Sequence, residues 1–196
     1  FSGYERRLQD VLEYYKRYFS AMQTLGATVF VLHGNKGPIQ AELYAERFAM
    51  LAELGKTFGV VVAQENVARC TSRSLDFLLQ MQKLLGNDAK FVLDIKQAVR
   101  SNENPMQMLQ KLGSHIVHVH LSDHGEYGDC LPVGTGRFDV RTFLQTLSTC
   151  SPDCSVILEL YRSSFNNVQD LVNNYLVIQH MLAPGSANKT DSIPIR

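Results

Sequence analysis

The sequence predicts an α/β protein built on a parallel sheet, and three observations carry that prediction. Short β-branched runs alternate with amphipathic helical stretches along the chain, the runs are apolar on both faces, and their ends recur at roughly thirty-residue spacing, the length of a βαβ unit. The chain has 196 residues, of which 45% are hydrophobic and 19% charged. That is enough for one domain with a real core, and it excludes wholesale disorder.

Each element has its own signal. Leu8, Val11, Leu12, Tyr15, Tyr18, Phe19 and Met22 lie near helical spacing, so residues 4–25 are expected to be helix, ended by Gly26. TVFVLH (28–33) reads as strand, followed by helix over 38–58 that stops near Gly59. VVVAQEN (60–66) is the next strand, then helix over 71–86, then strand KFVLD (90–94). A short helix over 104–112 precedes strand HIVHVH (115–120). SDHGEYGDCLPVGTGRFD is expected to be a long loop, followed by helix over 140–150, strand SVILELY (155–161) and helix over 166–182. Residues 1–182 are thus one domain, and the polar, Pro- and Gly-bearing stretch 183–196 is a tail.

Composition removes several classes of partner. Lysine plus arginine and aspartate plus glutamate number 19 each, so no long-range field favours a nucleic acid or an anionic membrane. No apolar run approaches the roughly 20 residues that span a bilayer. Charges interrupt the first stretch every few residues, unlike a signal peptide. The four cysteines (70, 130, 150 and 154) have no paired CxxC spacing, and reduced thiols in a cytoplasmic protein are expected.

The five strands share one feature: each runs apolar and then ends in a side chain able to bind a metal. These are His33, Glu65, Asp94, His120 and Glu159. In parallel α/β proteins the C-terminal strand ends form the binding edge, and carboxylates with an imidazole from neighbouring strands suit a divalent cation. One such residue alone is ordinarily a cap or a solvated turn residue, whereas five in register point to a shared site. His118 has the parity of His120 and reads as a core histidine or a supporting partner. His115 has the opposite parity and reads as structural. Asp123 and His124 fall in the next loop, as substrate contacts or solvated turn residues.

HGN (33–35), QEN (64–66), LDIKQA (93–98), HVHLSD (118–123), LPVGTGRFD (131–139) and ILELYR (157–162) occur in an order that resembles the sugar phosphate isomerase/epimerase family with the xylose-isomerase-like barrel. The resemblance implies a (β/α)8 TIM barrel and one divalent ion, most often manganese, with magnesium, cobalt or zinc as alternatives. It assigns Glu65, Asp94, His120 and Glu159 as ligands, with Glu65 and Glu159 also the catalytic acid/base pair. It implies a sugar or sugar phosphate as substrate and a homo-oligomer as a frequent state. His33 corresponds to a substrate-facing histidine. Lys96, Gln97, Asp123 and Arg162 are further candidates for substrate contact.

Two departures matter. Gln97 stands where many relatives have histidine, and Gly128-Asp129-Cys130 stands where the endonuclease branch, which uses three zinc ions, has Asp-x-His. The DNA-repair reading is thereby disfavoured. The first clear strand corresponds to the family's third, and the chain opens at Phe1 without methionine. A barrel without its first two βα units is therefore expected. A keto-inositol dehydratase on the same barrel and a non-catalytic degenerate barrel are the alternative readings.

Overall fold

A computed structural model describes residues 5–126 and 128–183. From residue 184 onward the expected tail lies outside the described residues. In chain order the elements are α1 (Glu5–Leu25), β1 (Val29–Leu32), α2 (Ala41–Thr57), β2 (Val61–Glu65), α3 (Leu75–Leu85), β3 (Phe91–Asp94) and α4 (Ile95–Arg100). There follow α5 (Pro105–Leu112), β4 (Ile116–Leu121), β5 (Asp123–Gly125), β6 (Gly128–Leu131), α6 (Val140–Cys150), β7 (Ser155–Leu158) and α7 (Val168–Leu182). Strands β1-β2-β3-β4-β7 form one sheet in that order, every neighbouring pair parallel, and β5 with β6 forms an antiparallel hairpin. The sheet is a curled half-barrel with β1 and β7 at its edges.

Alternation along the strands sorts side chains into two layers. Phe30, Phe91, Leu93 and Val119 point toward the helices, where they join Phe48, Leu78, Met108 and Phe143 in one buried cluster or pack against it. Each large side chain removed from water there contributes about 1.5–3 kcal/mol. A buried Gln64 lies in the same layer. It accepts from Tyr44 Oη and donates to the carbonyls of Leu32 (2.9 Å) and Glu65 (2.8 Å), so its amide ties the tips of β1 and β2. The chain turns off β1 at Gly34, whose φ is +90° and where a Cβ would come within 2.8 Å of Gln64 Nε2. Only glycine fits a position that is both left-handed and that close to a neighbour.

Two features depart from the expected pattern. Strand β3 passes straight into α4, because the Asp94 carboxylate accepts from the Gln97 backbone N–H (2.9 Å) and caps the helix where the strand ends. Six residues are too few for a helical period to register. The stretch expected as loop after β4 contains the hairpin β5–β6. Its frame is Asp123, which is 1% exposed and accepts four backbone N–H groups, from His124 (2.7 Å), Gly134 (2.9 Å), Gly136 (3.0 Å) and Phe138 (3.0 Å).

At Gly136 an added Cβ would lie 2.3 Å from Asp123 Oδ1 and 2.5 Å from the His124 carbonyl. Gly136→Ala is therefore expected to lower stability by about 1–3 kcal/mol, read as a reduced midpoint in urea unfolding. An unchanged midpoint would mean that the loop is not held on Asp123.

Candidate metal centre

The sheet's register builds the site. Phe91 of β3 pairs with Ile116, but Val92 pairs with His118, so β4 carries one extra residue, Val117, at that step. The bulge shifts every later pairing by one and sets Asp94 opposite His120. Without it Asp94 would face Val119, whose side chain packs among the helices. On the far side β4 pairs with β7, His120 opposite Ile157, and the Glu159 N–H reaches the Leu121 carbonyl (3.0 Å) just past the strand end. Asn66 completes the frame. Its side-chain oxygen accepts from the Asp94 N–H (2.7 Å) and its amide donates to the Asp94 carbonyl (3.0 Å), clamping the tip of β3 to β2.

Glu65, Asp94, His120 and Glu159 converge, with one candidate ligand atom from each lying within 4.8 Å of the others. His120 Nδ1 faces the carboxylates, at 3.0 Å from Glu65, 2.6 Å from Glu159 and 3.5 Å from Asp94. Glu65 and Asp94 are 3% and 1% exposed, yet Glu65 Oε2 and Asp94 Oδ2 are buried without a hydrogen-bond partner. Buried carboxylate oxygens without a hydrogen bond are costly, and the nearest groups, His33 at 3.2 Å from Glu65 Oε2 and Lys96 and His120 at 3.5 Å from Asp94 Oδ2, leave both with capacity for a cation. The donor set of three carboxylates and one imidazole suits a divalent ion.

The charges reinforce one another. Burial disfavours a charged His120, but the carboxylates of Asp94, Glu159 and Glu65 outweigh burial and raise its pKa to about 11. Glu159 is held down to about 2, first by its hydrogen bond to His120 and, against burial, by Lys96. His118, with Nδ1 2.7 Å from Ser155 Oγ, is pushed below the usual histidine value by burial and then by the His120 charge.

The other sequence candidates separate into two groups. His33 joins the cluster, its Nε2 3.2 Å from Glu65 Oε2 but outside hydrogen-bond alignment, with its side chain 64% exposed at the mouth. Lys96 also joins it, bonded to Glu159. Gln97 spends its side-chain oxygen on the Ala68 N–H (3.0 Å), and Asp123 is enclosed by the loop it organises. Arg162 donates to the carbonyls of Phe165 and Asn166 and lies over the Phe165 ring, so it shapes the turn before α7. Of His115 and His124, the first bonds the Ala89 carbonyl (2.9 Å) and the second packs on Phe138. Asn66 and Tyr161 belong to the site's frame but were not singled out by sequence. The one signal for Asn66 is its place directly after the candidate ligand Glu65, in the QEN motif.

A family described as "Xylose isomerase-like TIM barrel" matches residues 2–178. An uncharacterised protein of Mycobacterium leprae (strain TN) is 26% identical over 185 aligned positions, and the match takes in 79% of this chain but only 64% of that protein. Among solved structures, a D-tagatose 3-epimerase-like protein superposes with a TM-score of 0.72 at 22% identity, covering 92% of this chain and 72% of the other. The IOLI protein with a bound zinc atom gives 0.73 at 15% identity, with 93% and 74% covered. A probable 3-DHS dehydratase, AsbF of Bacillus anthracis, gives 0.73 at 15% identity, with 87% and 70% covered. The half-barrel, its strand-end cluster and the match over nearly the whole chain lead to one conclusion: this chain belongs to the xylose isomerase-like TIM barrel family.

Proposed function

We propose that the chain carries the metal and acid/base centre of an isomerase or epimerase acting on a sugar or sugar phosphate. The observation that carries this reading is the convergence of Glu65, Asp94, His120 and Glu159 with two buried, unpartnered carboxylate oxygens. Relatives of the same fold are named for sugar epimerisation, and one holds zinc. Glu65, Asp94, His120 and Glu159 would hold one divalent cation, manganese by preference of the donor set. When bound, it supplies positive charge where the substrate's oxygens become negative.

The chain's own groups do the rest. Epimerisation next to a carbonyl removes a proton from the carbon and returns it on the opposite face. Glu159 has a side chain 38% exposed, the more accessible of the two glutamate carboxylates, and is assigned the proton-taking role on that accessibility. Glu65 lies on the other side of His120 and keeps one oxygen free of hydrogen bonds. It serves as the partner carboxylate, with His33 at the mouth to orient a hydroxyl. A dehydratase is the second reading, favoured by the likeness to AsbF. The same base would remove the proton, and a β-hydroxyl would leave in place of reprotonation.

Incubation of the manganese-loaded protein with a ketose in deuterated water should give deuterium at the carbon beside the carbonyl, read by NMR. Glu159→Gln should slow that exchange by about 10²–10⁴-fold. Enone formation would favour the dehydratase, and no exchange by a fully metal-loaded chain would leave a binding scaffold.

Metal binding should also be linked to protons. In the metal-free protein His120 has a raised pKa of about 11, so it is charged at pH 7.5 and must lose its proton to coordinate. The charged form stabilises the metal-free fold fully below the unfolded value of about 6.5, and that contribution fades as pH rises toward about 11. Calorimetry in buffers of different ionisation heat should show about one proton released per ion, with affinity rising as pH rises. Binding without proton release would mean that His120 is already neutral in the metal-free protein, and loss of binding in His120→Ala then tests it as a ligand.

A further inference from the structure

Lys96 is the group in the centre that the metal reading leaves without a task. It lies in the first turn of α4, two residues after Asp94, and is 3% exposed. Its Nζ hydrogen-bonds Glu159 Oε1, lies 3.5 Å from Asp94 Oδ2 and sits 5.2 Å from the centre of the Tyr161 ring. That ring is fixed in turn. Arg100 donates to Tyr161 Oη (2.8 Å), lies over the same ring and is paired with Asp129. Lysine is rarely buried to this degree unless it is paired. As an ammonium it has three donors and no lone pair, so it cannot be a ligand and acts in the centre as a charge.

Resting on the reading that this cluster binds a divalent cation, we infer that Lys96 is the centre's built-in counter-ion, which balances one of the three ligand carboxylates and so weakens the cation's hold. With a neutral imidazole, a divalent ion and the ammonium together balance the carboxylates of Glu65, Asp94 and Glu159. Without Lys96 the loaded centre would keep one uncompensated negative charge, and in the metal-free centre Glu159 Oε1 would lose its ammonium partner. The device has two consequences. The metal-free site stays assembled, because Lys96 and His120 hold the two oxygens of Glu159 from either side. The bound ion also remains exchangeable, since it competes with a charge already seated beside two of its ligands.

The alternative is an ordinary ion pair that only fixes the Glu159 side chain. The two differ in sign: loss of a purely positioning lysine weakens metal binding or leaves it alone, whereas loss of a counter-ion tightens it. The experiment is manganese affinity at pH 7.5, by calorimetry and by competition with a fluorescent chelator, for the wild type, Lys96→Gln, Lys96→Met and Lys96→Arg. Gln and Met are expected to bind about ten-fold or more tightly than wild type, since a unit charge is removed within the centre. Arg keeps the charge but is bulkier at this buried, stacked position, and it is expected to show none of that tightening. Melting with and without manganese gives a second readout: the rise on adding metal should be larger for Lys96→Gln than for wild type. If Lys96→Met does not fold without metal, Lys96→Gln, which keeps a donor for Glu159, decides. Gln binding manganese no more tightly than wild type overturns the inference. A wild type that binds no manganese is a separate failure, that of the metal reading, and removes the centre that Lys96 would balance.

Discussion

Three carboxylates gathered within 4.8 Å at the end of a sheet repel one another, and the site's architecture answers that constraint. At about 4 Å and an effective dielectric near 20, each like-charged pair costs about 4 kcal/mol. Hydrophobic packing of the helical layer does not offset such a term locally, so the charges must be balanced where they lie. His120, driven to the cationic form, and Lys96 do this from opposite sides of Glu159. The hydrogen-bonded frame must then hold the acids in place against their repulsion. Asn66 clamps the Asp94 backbone, the Asp94 side chain caps α4, and the bulge at Val117 presents His120 on the same face. Loss of any of these lets the acids move apart, which their own field favours.

Asp94 and Asp123 show how the free lone pairs of a carboxylate separate a binding role from a structural one. Both are 1% exposed; Asp94 ends β3, and Asp123 begins β5 two residues past the end of β4. Asp123 has both oxygens occupied by backbone N–H groups, four in all, and closes the loop onto the hairpin. Asp94 spends one oxygen on its helix cap and leaves the other without a hydrogen-bond donor. A buried acid whose lone pairs are met by the backbone is finished as a structural element. One with a free oxygen is poised for a ligand that the fold does not itself supply.

The same contrast marks what the sequence made legible. Strand ends are readable because a short apolar run that stops at a polar residue is a one-dimensional signal, and five such runs in phase imply one edge in space. Glu65, Asp94, His120 and Glu159 were visible for that reason. Lys96 was visible as a candidate but not in its setting, because its partner Glu159 lies 63 residues further along the chain. Gln97, Asp123 and Arg162 drew attention by proximity to ligands, yet their polar atoms go to backbone groups that no periodicity specifies. Helix α4 and the hairpin were hidden because each is only a few residues long, and what holds them is a side chain bonded to main chain. Motifs such as these are set by three-dimensional closure, not by pattern.

Position in the sheet also differentiates the candidate ligands themselves. Glu65, Asp94 and His120 project from the central strands β2, β3 and β4, where neighbours on both sides fix the backbone, and all three are buried. Glu159 and His33 follow the edge strands β7 and β1, and their side chains are 38% and 64% exposed. On the inner face Val61 and Ile157 are likewise open, at 39% and 46%, although parallel sheets are ordinarily covered on both faces. A centre with three enclosed donors and one carboxylate open to the sheet's uncovered face suits the proposed chemistry better than four equivalent ones. The enclosed set can hold a cation without reorganising, which is where electrostatic stabilisation draws its strength. Proton transfer instead needs a group that the substrate's carbon can reach. Of the two glutamates in the proposed acid/base pair, the edge residue Glu159 is the one a substrate can reach, and Lys96 and His120 fix where its oxygens stand, while Glu65 stays enclosed between β1 and β3.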